Sequence, residues 1–179
     1  MKRNVFVFGS ISGLILATYM VISTALCSDN PNFETSMFVG YAGMILAFSF
    51  VFVGIKNFRD KYNDGLITFG KAFKLGLYIT LVTSTVYVIV WLIEYYCFIP
   101  DFMDKYAEHE ISKARSGGLT QAELDLQIQK ILKMKEMYKN PLFVILITYM
   151  EILPIGLLIS IISALILKRK SKGKDILTA

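Results

Sequence analysis

Four stretches of the chain are almost free of charge. Asn4–Ser28, Thr35–Ile55 and Leu75–Ile93 contain no Asp, Glu, Lys or Arg, and Leu142–Leu167 contains only Glu151. A helix needs about 20 apolar residues to cross the hydrocarbon of a bilayer. Each run meets that length, and four of them exceed what one soluble core can bury. The pattern predicts an all-α integral membrane protein with four transmembrane helices, at about 5–27, 36–55, 73–98 and 142–167. Val5–Leu26, at 22 residues, is longer than the roughly 7–15 residues of a signal-peptide core. An uncleaved first span is therefore expected.

Between the third and fourth spans the periodicity changes. Asp101–Ser116 has helical spacing with Phe102, Tyr106 and Ile111 as scattered apolar positions, and Gly117-Gly118 breaks it. Thr120-Gln-Ala-Glu123 reads as a capping box, in which threonine and glutamate each satisfy an amide of the other's turn. Leu124, Ile128, Ile131, Leu132 and Tyr138 follow as an amphipathic stripe, ended by Asn140-Pro141. A helical hairpin over about 101–140 is expected, its stripe packed on itself or on the bilayer surface, with a protein partner at that face as a further expectation.

Charge sets the threading. Lys2 and Arg3 precede the first span. Lys56, Arg59, Lys61, Lys71 and Lys74 lie between the second and third, and Lys168, Arg169, Lys170, Lys172 and Lys174 follow the fourth. Those are twelve of the nineteen basic residues, whereas Asp29–Glu34 has none. By the positive-inside rule both termini are expected in the cytoplasm of an inner-membrane protein, with the hairpin extracytoplasmic. The net charge of +5 is then topological and gives no argument for nucleic acid. Asn63-Asp64-Gly65 supplies a turn, and Phe69 and Phe73 share a face with Lys71 and Lys74 placed to snorkel. That stretch reads as the interfacial start of the third helix.

Composition agrees: 55% of residues are hydrophobic and 18% charged, against about 45–50% and 25% in a soluble domain.

Ile67–Gly76 (ITFGKAFKLG), the upstream Phe52–Tyr62 (FVGIKNFRDKY), and Tyr138–Phe143 (YKNPLF) paired with Glu151–Gly156 (EILPIG) resemble the domain-of-unknown-function 4199 family, small membrane proteins found mainly in Bacteroidetes. The resemblance runs along nearly the whole chain. It implies four membrane helices with an outside helical insert, and it brings no activity and no catalytic residues with it.

Helices in lipid associate through close backbone approach and a few polar contacts. Small residues recur at four-residue spacing in every span: Gly9, Gly13 and Ala17; Gly43 and Ala47; Gly76, Thr80 and Ser84; Gly156, Ser160 and Ala164. They suit a compact bundle, and Gly9–Gly13 also allows a homo-oligomer.

Two carboxylates stand out. Glu151 is about 13 Å beyond Leu142 along a helix rising 1.5 Å per residue, and a charge at the bilayer centre costs at least about 2.5 kcal/mol. Pro154 removes the amide that would bond Met150 and is expected to kink the helix. Glu94 ends a stripe of Thr80, Thr83, Tyr87 and Trp91, and Thr148 lies one turn before Glu151. Where those faces meet, Glu94, Glu151, Thr148 and Tyr87 are expected to form one buried polar cluster. Such a cluster suits proton or cation handling or a lipid-like headgroup; equally it suits an interhelical clamp, with Glu94 snorkelling outward.

Cys27 and Cys97 close two spans at the same face, which allows a disulfide there. His109, the lone histidine, is no metal signature. No phosphate-cradling glycine loop or nucleophile–base constellation is present, and no cofactor is implied. The sequence thus points to a non-enzymatic accessory or assembly protein, or to a small transporter or channel using Glu151 and Glu94.

Overall fold

The structure is a computed structural model; it describes residues 1–27 and 33–169, with side chains for 1–24 and 38–169. Six α-helices account for nearly all of the described residues: α1 (Lys2–Cys27), α2 (Phe33–Tyr62), α3 (Phe69–Ile93), α4 (Phe102–Ser116), α5 (Gln121–Met137) and α6 (Pro141–Leu167), with a π-helical turn, Glu94–Phe98, ending α3. α1, α2, α3 and α6 are each long and apolar enough to cross a membrane.

Small residues set the helix order. A Cβ added at Gly9 or Gly13 of α1 would meet Val82 or Val86 of α3 at 2.7 and 2.8 Å. The pairings advance together, so α1 and α3 run parallel. A Cβ at Gly156 of α6 would lie 2.4 Å from Thr80 and 2.8 Å from Phe48, which brings α6 against both α3 and α2. α3 therefore stands between α1 and α6. Gly9 and Gly13 are occupied by α3 of the same chain.

Buried polar side chains lock this arrangement by reaching backbone carbonyls of neighbouring helices. Asn4 Nδ2 donates to Gly54 O (2.7 Å), Ser12 Oγ to Ala47 O (2.7 Å) and Thr83 Oγ1 to Gly9 O (3.2 Å). Thr80 Oγ1 donates to Gly156 O (3.2 Å) and shares a hydrogen bond with Ser160 Oγ (3.0 Å). Between these links lies an apolar core of Phe48, Val51, Ile55, Leu75, Ile79 and Ile152, none of which exposes measurable surface.

α2 extends two turns beyond the expected end at Ile55, to Tyr62. Lys56, Arg59 and Lys61 lie on that extension, and the chain reverses only at Asp64 and Gly65, both with positive φ (49° and 72°). Thr68 caps α3, accepting from Lys71 N at 3.4 Å, and Phe69 and Phe73 stack at 6.0 Å as their spacing predicts. Ile67 and Arg169 exchange both backbone hydrogen bonds (3.0 and 2.8 Å), fastening this loop to the end of α6. One end of the bundle thus gathers the described basic residues of all three segments. Lys170, Lys172, Lys174 and the Asp29–Glu34 loop lie wholly or partly outside the described residues.

α4 and α5 form the expected hairpin at the other end. Gly118 turns it at φ 70°, and the capping box is formed: Glu123 N donates to Thr120 Oγ1 (3.5 Å) while Thr120 N donates to Glu123 Oε2 (3.0 Å). Burial falls on Met103, Ala107 and Ala114 of α4 rather than on the larger residues that its sequence displays. Leu124, Ile128 and Ile131 are half-buried, and Leu132 is exposed. Tyr138, the last residue of the stripe, is half-buried as well, so Leu132 alone falls outside it. Lys135 pairs with Asp104 across the hairpin, which raises the lysine's pKa.

Candidate functional site

The hairpin is rooted in rings. Tyr95 packs edge-on against Phe102 (6.5 Å between centroids) and Tyr138 (5.8 Å), Trp91 against Phe102 (5.2 Å), and Tyr138 against Phe143 (5.8 Å). Asn140 starts α6 beside this cluster, its Oδ1 accepting from Leu142 N at 3.0 Å. Offset and edge-on aromatic pairs each add about 0.5–1.5 kcal/mol beyond burial, so the root is firm although no residue of α5 is buried.

Beneath the root the four long helices separate around a cavity of about 720 Å³. Tyr19, Met20 and Thr24 of α1, Tyr41 and Met44 of α2, Tyr87 and Trp91 of α3, and Thr148 and Glu151 of α6 line it; the hairpin adds Phe102, Tyr106, Met134, Lys105, Asp101, Glu110 and Lys113. Toward the basic end the bundle closes at Phe48, Ile152 and Thr80. The cavity is blind.

Three of the four expected cluster residues share this wall: Tyr87, Thr148 and Glu151. They are not hydrogen-bonded to one another. Thr148 Oγ1 bonds back to Val144 O in its own helix (2.7 Å). Glu151 carries no hydrogen bond or ion pair among the described residues, and it is exposed although it sits well inside the span. It lines the cavity. Tyr138 senses it: that phenol, half-buried at the hairpin root, is pushed up to about 12, first by burial and then by the negative charge of Glu151.

Glu94 departs from the expected cluster. It is 4% exposed, so it does not snorkel outward, and it accepts from Thr24 Oγ1 at 2.9 Å instead of joining Glu151. Its position opens the π-helical turn, where Ile99 N reaches back to Glu94 O (2.9 Å). Glu94 itself keeps α-helical φ/ψ and its N–H bonds back to Val90 O, so the extra residue of the π-turn re-aims the residues after it. The stripe expected to carry the cluster is likewise divided, with Thr80 serving α6 and Thr83 serving α1. Periodicity of 3.6 could place these residues on one side of α3, but it could not show that two helices share that side.

Pro154 lies within α6 without ending it. Cys97 is an exposed free thiol in the π-turn, and the expected pairing falls on the Cys27 side chain, outside the described residues. Sequence reasoning missed Thr24, the π-turn and the methionines and tyrosines of the wall. A glutamate followed by three aromatic residues in four (Glu94-Tyr-Tyr-Cys-Phe98) was the available signal.

The fold and site define an all-helical, multi-pass membrane protein with a blind cavity beneath an aromatic-rooted hairpin. The chain belongs to the family described as Protein of unknown function (DUF4199), whose model matches residues 7–169. No curated protein and no solved structure matches it.

Proposed function

We propose that the protein is a non-enzymatic accessory protein of the inner membrane that holds an amphipathic small molecule in this cavity. The cavity carries the reading: about 720 Å³, walled by aromatic and methionine side chains on four membrane helices, with polar and charged residues at the hairpin. Ligand sites are concave and mostly apolar, with few polar groups to fix orientation. The basic residues at the opposite end support a cytoplasmic location for both termini and hence an extracytoplasmic hairpin.

Native mass spectrometry of the protein in nanodiscs tests the reading. Wild type should carry a co-purified amphiphile, and Gly40→Trp should lack it. Gly40 lines the cavity and a Cβ there meets nothing within 4 Å, so the variant is chosen to fill the site. An unfilled wild type, or equal adducts on both proteins, overturns it. Reporter fusions after Arg169 and within Gly117-Gly118 test the threading.

One observation favours transport as a second reading: Glu151 is accessible from the cavity without a partner, as the blind end of an outward-facing pathway would be. Proteoliposomes in which wild type shows proton or cation flux and folded Glu151→Gln does not would replace the accessory reading.

A further inference from the structure

The chemistry of the wall narrows the ligand, an inference that rests on the cavity reading above. Asp101 and Lys105 neutralise each other at the rim (2.8 Å), and Glu110 and Lys113 are opposite charges on adjacent turns of α4. Glu151 is different. Among the described residues it is the only charged wall residue contributed by a membrane helix, and none of them pairs with it. Tyr19, Tyr41, Tyr87 and Trp91 share its wall. Aromatic faces attract cations, more strongly when desolvated, and a lone carboxylate rejects an anion.

We infer that the cavity binds a lipophilic organic cation, its charge set against Glu151 and its apolar body against the tyrosines and Trp91. Neutral amphiphiles would leave the carboxylate desolvated without compensation, and anionic ones would add repulsion. About 720 Å³ accommodates a cation bearing several rings or a branched apolar body.

Tetraphenylphosphonium and tetraphenylborate are near-identical in shape and opposite in charge, so they test the sign directly. Trp91 is the only tryptophan and lines the cavity, so its fluorescence reports occupancy; equilibrium dialysis with nanodiscs of zwitterionic lipid gives the affinity. Wild type should bind the phosphonium and exclude the borate. Glu151→Gln should weaken phosphonium binding by about thirtyfold or more, the loss expected when one partner of a buried charge pair is removed. Glu151→Asp, which keeps the charge, should retain most of it, and Tyr87→Leu should lose several-fold.

If the borate binds as well as the phosphonium and Gly40→Trp abolishes both, the cavity takes amphiphiles but the cationic class is wrong. If the phosphonium binds equally to wild type and Glu151→Gln, the inference is also overturned. If neither probe binds wild type, the cation inference fails; if Gly40→Trp also leaves the native mass spectrum unchanged, the cavity reading falls with it.

Discussion

Gly156→Ala adds one carbon at the tightest crossing in the bundle. The new Cβ would lie 2.4 Å from Thr80 Cγ2 and 2.8 Å from Phe48 Cε1, and both neighbours are fully buried. Overpacking of this kind costs about 1–3 kcal/mol. Replacing a helical glycine with alanine returns about 0.5–1 kcal/mol. The net expectation is a loss of about 1–2 kcal/mol, measured by reversible SDS unfolding in mixed micelles and followed by circular dichroism. Gly70→Ala is the control: it also lies in a helix, but its Cβ would meet nothing within 4 Å, so it should be neutral or slightly stabilising. Thr80→Ser removes the closest methyl while keeping the hydroxyl bonded to Gly156 O and Ser160. In the double variant it should recover about 0.5 kcal/mol or more, as expected for residues in contact. If Gly156→Ala is as stable as Gly70→Ala, close approach at this crossing does not hold α3 to α6, and the packing argument fails.

Other expectations follow from single contacts. Thr24→Val should lower the melting temperature more than Thr18→Val, because it strips buried Glu94 of its hydroxyl partner while Thr18 is exposed; equal melting curves would remove the structural role of that bond. Ser12→Ala breaks one interhelical bond to Ala47 O and should cost about 0.6 kcal/mol, the membrane average, in the same SDS titration. Glu123 is held below the usual carboxylate range by the Thr120 hydroxyl and then its amide. A depressed folded value means that the capping box contributes above the unfolded carboxylate range and fades as pH falls through the lower folded value. Protection factors for the first turn of α5 should fall on acidification in wild type, fall less in Thr120→Ala, which keeps the amide bond, and be flat in Glu123→Gln. Tyr138 ionises late, at about 12, so Glu151→Gln should bring its phenolate absorbance in at lower pH; no change would place the carboxylate beyond its electrostatic reach.

Span positions were legible because hydrocarbon imposes an all-or-none demand on composition. Leu142–Leu167 tolerates one charge in 26 residues, and no local propensity competes with that constraint. Close-packing positions were legible for a related reason: with lipid as apolar as leucine, helices recognise each other through small residues. Gly9, Gly13 and Gly156 sit where a Cβ would collide with a neighbouring helix, and at Gly76 it would meet Ser160 at a tight 3.0 Å. Gly43 obeys the same rule more loosely, its Cβ meeting Tyr19 at an ordinary 3.4 Å.

The candidate site was legible only in part, and the reason is geometric. Glu151, Tyr87 and Thr148 could be singled out as polar groups in apolar runs, but a cavity is a property of the space between helices. Its tyrosines and methionines look like ordinary span residues in sequence. Glu94 shows the limit most clearly. Extrapolating α3 at 3.6 residues per turn puts Glu94 on the Tyr87 stripe, but it cannot show that α1 supplies the partner there, Thr24, while Glu151 stands on α6. The two carboxylates therefore serve different ends. One is consumed by a helix contact, and the other is left facing open space with aromatic rings around it. That division makes Glu151, rather than the pair, the residue on which function should depend.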